Sequence, residues 1–75
     1  MNGTAPTQTT RETVLAVKTI EIERKRFTLS RCENARGQIL RIVEEFGHRR
    51  TSVIVPLTGM EEFFAAIDEV VPPPA

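Results

Sequence analysis

Four times in succession the chain alternates apolar and polar residues with a period of two, and after Pro56 the period switches once to that of a helix. Successive side chains of a strand point to opposite sides, whereas those on one face of a helix recur every three or four residues. Within 17–23, Ile20 and Ile22 alternate with Thr19, Glu21 and Glu23. Within 25–31, Phe27 and Leu29 alternate with Arg26, Thr28 and Ser30. Within 38–46, Leu40 and Ile42 share one side, while Ile39, Arg41 and Val43 share the other. Within 51–57, Val53, Val55 and Leu57 oppose Ser52, Ile54 and Pro56. Asn34-Ala35-Arg36-Gly37 and Gly47-His48-Arg49-Arg50 read as turns, because Asn and Gly tolerate positive φ. Short connections join antiparallel neighbours. Met60, Phe63, Phe64, Ile67, Val70 and Val71 then follow at helical spacing, with Glu61, Glu62, Asp68 and Glu69 opposite. Thr58 and Glu61 match a capping box at the helix start. The expected class is α+β: a four-stranded antiparallel sheet followed by one C-terminal helix (ββββα). The helix is expected to cover the Phe27/Leu29/Leu40/Ile42 side and to leave the other side open.

Size sets the next constraint. A domain of about 60 residues buries only about 60% of the surface its unfolded chain exposes, and this chain has 75 residues. Small units usually need disulfides, a metal or a partner chain. Cys32 is the one cysteine, so no internal disulfide forms, and Cys32 with His48 falls short of the four ligands of a structural zinc site. Self-association, as a homodimer, is the remaining remedy. Residues 1–13 are rich in Thr, Gln, Pro and Gly without periodicity and read as a disordered leader. Residues 14–71 form the single folded unit, and 72–75 a proline tail. No apolar run approaches the roughly 20 residues of a membrane helix, and the first ten residues hold no apolar signal core. A soluble cytoplasmic protein is expected, with nucleoid association compatible.

The net charge is zero, yet the charges are segregated. Between Lys18 and Arg50 lie nine basic and five acidic residues, whereas from Leu57 onward there are four acids and no base. The expected open side carries Arg26, Thr28, Ser30, Ile39, Arg41, Val43, Ser52 and Ile54. Such a mixture of cations, hydroxyls and β-branched apolar residues suits a recognition surface for nucleic acid or protein better than an idle solvated face. Catalytic signals are missing. His48 sits in a turn beside two arginines, Cys32 has no base near it in sequence, and Glu44-Glu45 point to opposite sides of one strand. The glycines assemble no phosphate loop. No enzyme activity, cofactor, metal or small-molecule substrate is expected.

The stretch Lys25–Ile42 reads KRFTLSRCENARGQILRI. It closely resembles the central signature of the PUR repeat of the Pur-alpha family of purine-rich-element binding proteins: Lys-Arg-Phe-Tyr-Leu, a short spacer, Asn-Ala-Lys/Arg-Gly, then Arg-Phe-Leu-Lys-Ile. Ile20-Glu21-Ile22 looks like the end of that repeat's first strand, and Glu62-Phe63 falls where the repeat's helix also carries Glu-Phe. The resemblance covers about 17–71. It implies a PUR/Whirly-like ββββα repeat that intertwines with a second copy to form a homodimer. It also implies binding of single-stranded DNA or RNA, often purine-rich, in transcription regulation. Carried over residue by residue, Lys25, Arg26, Asn34, Arg36 and Arg41 would contact phosphates and base edges. Thr28 stands where the family has Tyr, Ile39 where it has Phe, and Gln38 where a basic residue is common. Each aromatic stacking platform is worth about 1–3 kcal/mol per base. Ile39 can still press against a base as apolar wedges do. The alternative is a dimeric protein-interaction module that keeps the fold without strong nucleic-acid binding.

Overall fold

The computed structural model describes residues 12–74. Four strands, β1 (Thr13–Ile22), β2 (Lys25–Asn34), β3 (Gly37–Phe46) and β4 (Arg49–Pro56), are followed by a 3-10 turn (Leu57–Gly59) and one helix, α1 (Met60–Val70). Each strand pairs antiparallel with the next, giving the order β1-β2-β3-β4. This is the expected ββββα architecture. The strands run longer than the alternation alone indicated, and the irregularity between Val14 and Ala16 marks a bulge in β1. β1 begins one residue before the expected boundary at 14, and Glu12, also within the expected leader, is held by an ion pair to Arg41; 1–11 lie outside the described residues, as does Ala75 of the tail.

The turns follow from their residues. Asn34 pairs with Gly37 across the β2–β3 turn, and the Asn34 Oδ1 accepts a 2.8 Å hydrogen bond from the Arg36 backbone N–H. An asparagine side chain closing on its own backbone two residues ahead stabilises such a turn locally. Gly37 (φ 135°) and Gly47 (φ 61°) occupy positive-φ positions that a Cβ disfavours. Glu23, in the β1–β2 turn, holds φ 58° without being glycine. An L-residue there is strained by about 1–2 kcal/mol.

Register sorts the side chains into two faces. Phe27 lies opposite Ile20 and Glu44, and Leu29 lies opposite Ile42, which lies opposite Val53. On the other face Ser30 lies opposite Arg41, which lies opposite Ile54, and Thr28 lies opposite Val43. The division of residues between faces is the one expected from the alternation.

What covers the faces differs from expectation. α1 does not lie over the Phe27 face. None of its residues is buried, and Phe64 and Val70 are 59% and 80% exposed. The turn that leads into the helix packs against β3, while the helix itself makes only glancing contact with the sheet. Ile20, Ile22, Phe46 and Val53 consequently remain exposed on the Phe27 face. The two buried apolar residues, Cys32 (0% exposed) and Val43 (7%), both belong to the Arg41 face, which was expected to be open. Val43 sits in an inner strand between Thr28 and Ser52, and the Arg41 guanidinium reaches to 3.7 Å from the Cys32 Sγ. The expected capping box does not form either. Gly59 is the N-cap, with no side-chain bond, because the 3-10 turn takes up Thr58 one residue before the cap.

Gly47→Ala is expected to cost about 1–2 kcal/mol, the strain of a Cβ in the left-handed region. Urea denaturation of wild type and variant checks this; equal midpoints would mean that the turn is not held at that φ.

Candidate nucleic-acid interface

β2 and β3 and the turn between them carry every residue singled out as a contact, but the register divides them. Arg26, Thr28, Ile39 and Arg41 share one face: Arg26 pairs with Glu45, Thr28 with Val43, Ser30 with Arg41, and Cys32 with Ile39. Lys25 and Gln38 are an odd number of residues away along their strands and so belong to the Phe27 face. Lys25 Nζ is 2.9 Å from Glu44 on that face, and Gln38 Oε1 accepts a 3.0 Å hydrogen bond from Arg31. Asn34 and Arg36 project at the β2–β3 end, where Arg36 is exposed and in no ion pair among the described residues. The structure thus gathers Arg26, Thr28, Ile39 and Arg41 as a surface with Asn34 and Arg36 at its tip, and leaves Lys25 and Gln38 behind it.

The two arginines of this face are held differently. Arg26 lies 3.3 Å from Glu21, its cross-strand partner on β1. Both side chains are exposed, and pairs of this kind contribute only about 0–1 kcal/mol, so Glu21 holds Arg26 weakly. Arg41 is gripped more firmly. Its Nη1 and Nη2 donate to the two carboxylate oxygens of Glu12 at 2.8 and 2.7 Å. The fork-to-fork geometry is the strong form of a charge-assisted pair. The hydrogen bond from Arg41 holds the Glu12 carboxyl below its ordinary value of 4.5, with Coulomb attraction adding to it and burial opposing. The same hydrogen bond raises Arg41. Arg41 therefore anchors the start of β1 across the sheet, its charge matched by the Glu12 carboxylate. No local pattern in the sequence signals this pair, whose partners are 29 residues apart.

Thr28 and Ile39 are both half-buried, with a long 3.4 Å contact between the Thr28 and Thr19 hydroxyls. The surface between the arginines is therefore shallow and aliphatic, with no ring on which a base can stack. Among the described residues no cluster of histidine, cysteine and carboxylates has metal-holding geometry, and no helix is long and apolar enough to cross a membrane. His48 is exposed in its turn.

No protein-family model matches the chain. Over 54 residues, 72% of its length, the chain is 41% identical to Transcription factor Pur-alpha 1 of Arabidopsis thaliana. The chain spans 18% of that protein's length, and so is similar to one segment of it.

Stability should report the Glu12–Arg41 pair through pH. Because the folded-state value of Glu12 is lowered, its contribution is present above the ordinary value of 4.5 and is lost as the pH falls through the lowered one. Arg41 stays protonated throughout and adds no pH dependence of its own. Glu12→Gln is expected to flatten this acid limb in urea titrations at stepped pH; superimposable acid limbs would mean the pair does not form in solution.

Proposed function

We propose that this chain belongs to the Pur-alpha family as a single PUR-like repeat, and that it binds single-stranded DNA or RNA as a homodimer, without catalysis. Two supports are independent of each other. The chain is similar to a segment of a transcription factor named for that family, and register places Arg26 and Arg41 on one face, with the exposed Arg36 in the turn at the end of the sheet away from Arg26. The second observation carries the reading. Cations spaced along one face of a sheet suit a phosphate backbone that runs across the strands, with base contacts between them.

The dimer follows from what the single chain leaves uncovered. The apolar stripe of α1 (Phe64, Ile67, Val70) and the Phe27 face (Ile20, Ile22, Val53) are both exposed. Burying one such side chain is worth about 1.5–3 kcal/mol. A second copy supplies a helix for each sheet and a sheet for each helix, the two-layer packing of small α+β domains. Phe64→Asp/Ile67→Asp is then expected to sediment as a monomer and to lose most of its stability and its oligonucleotide binding. A variant that still sediments as a dimer would remove the helix from the interface.

Thr28 and Ile39 reduce stacking, so backbone contacts should dominate the affinity. Binding is expected to weaken steeply with salt, because each neutralised phosphate releases counterions. In anisotropy titrations with a single-stranded purine oligomer, Arg26→Ala/Arg36→Ala should lower the magnitude of the log–log salt slope by about 2, roughly one per lost phosphate contact. Absence of wild-type binding at low salt, with the dimer intact, would sink the nucleic-acid reading and leave a protein-interaction module that uses the same shallow aliphatic face.

A further inference from the structure

A second cationic surface lies at the other end of the sheet, away from the Asn34–Arg36 turn. Consecutive antiparallel strands bring the β1–β2 turn and the β3–β4 turn to one end, and a groove of about 500 Å³ opens between them. Arg24, Lys25 and Arg26 line it from the first hairpin, and His48, Arg49 and Arg50 from the second. Three carboxylates, Glu21, Glu23 and Glu45, also line it. The register explains how the charges are shared. Glu21, Arg26, Glu45 and Arg50 form one row across all four strands with alternating sign. Within that row Arg26 pairs with Glu21 at 3.3 Å and Arg50 approaches Glu45 at 4.0 Å, while Lys25 turns to Glu44 on the opposite face. Arg24 and Arg49, one on each wall of the groove, and Glu23 beside Arg24 are left, exposed and in no ion pair among the described residues.

The backbone adds a second observation at the same place. Both turns begin with a residue at positive φ, Glu23 at 58° and Gly47 at 61°. In the second turn glycine removes the strain; in the first, a glutamate retains it. Strain of this kind persists where the surroundings hold it, and it gathers at ligand-contacting turns.

We propose that this groove is a further phosphodiester-binding site that shares Arg26 with the Arg41 face, in which a single strand crosses the sheet end from Arg24 to Arg49. The inference rests on the nucleic-acid reading and extends it. Arginine suits the role because its planar fork meets phosphate oxygens bidentately. The ten residues of β2, at about 3.3 Å each, separate the groove from the Asn34–Arg36 turn by roughly 30 Å. A strand must therefore be long to touch both ends, and a short one engages only one of them.

The test compares the wild-type protein with Arg24→Ala/Arg49→Ala in anisotropy titrations between about 50 and 200 mM salt, where counterion release is steep. Single-stranded oligomers of about 4 and about 16 nucleotides bracket known strand-binding site sizes. For the long oligomer, the variant should show a salt slope smaller by about 2 and an affinity about tenfold lower. Its binding of the short oligomer should change less, and Arg24→Lys/Arg49→Lys should restore the slope. Thermal unfolding of the variants, whose changes lie at the exposed β1–β2 turn and the exposed start of β4, controls for the fold. A long-oligomer slope equal to wild type overturns the groove while leaving the proposed function standing. Failure of the wild type to bind either oligomer overturns both. Saturable binding of a free nucleoside triphosphate that depends on Arg24 and Arg49, with an unchanged oligomer slope, also overturns it, since the groove would then serve small phosphates.

Discussion

The register of β2 against β3 is the constraint on which the rest depends. Side chains alternate with a period of two, so a slip of one residue would carry Arg26, Thr28 and their neighbours to the Phe27 face. Several interactions of different kind hold the same register. The Asn34 side chain closes the turn on Arg36, Gly37 supplies the positive φ that follows it, and Leu29, Ile42 and Val53 meet in one row. Lys25–Glu44, which crosses from β2 to β3, would be lost in a slipped pairing. Each contributes little alone, but their agreement is what makes one alignment preferred over its neighbours.

A single curled layer is an incomplete domain. The sheet leaves aliphatic side chains exposed on the Phe27 face, and the helix exposes its whole apolar stripe. In the proposed dimer a second copy supplies the missing layer, which would link stability to association and association to function. The Glu12–Arg41 pair fits the same picture from the other side. It ties the first described residue to the middle of β3 and helps to close over Cys32, so that face is partly structural and partly displayed.

Most of the fold was legible in the residues. Alternation in 17–23, 25–31, 38–46 and 51–57 gave the strands and their faces, because a half-buried strand has no other way to bury its apolar side chains. Asn34-Ala35-Arg36-Gly37 gave the turn, and the spacing from Met60 to Val70 gave the helix. The packing of that helix was not legible: an amphipathic pattern records that a face wants cover, not which chain provides it. Burial of Cys32 and Val43 was missed for a related reason, since it arises from neighbours across the sheet, Arg41 beside Cys32 and Thr28 and Ser52 beside Val43. The site was readable in part. Alternation placed Arg26, Thr28, Ile39 and Arg41 together, and the resemblance brought in Lys25 and Gln38, which the register sets on the opposite face. The cations at 24–26 and 49–50 were visible as charge, but only the meeting of two hairpin turns makes them a groove.

The most direct test of the account asks which face meets a single strand. Methyl groups report each face separately: Ile39, Val43 and Ile54 on the Arg41 face, Leu29, Ile42 and Val53 on the other. In methyl-resolved NMR titrations with a single-stranded purine oligomer, Ile39, Val43 and Ile54 should shift while Leu29, Ile42 and Val53 stay in place. Shifts confined to Leu29, Ile42 and Val53, or none on either face at saturating oligomer, would contradict it.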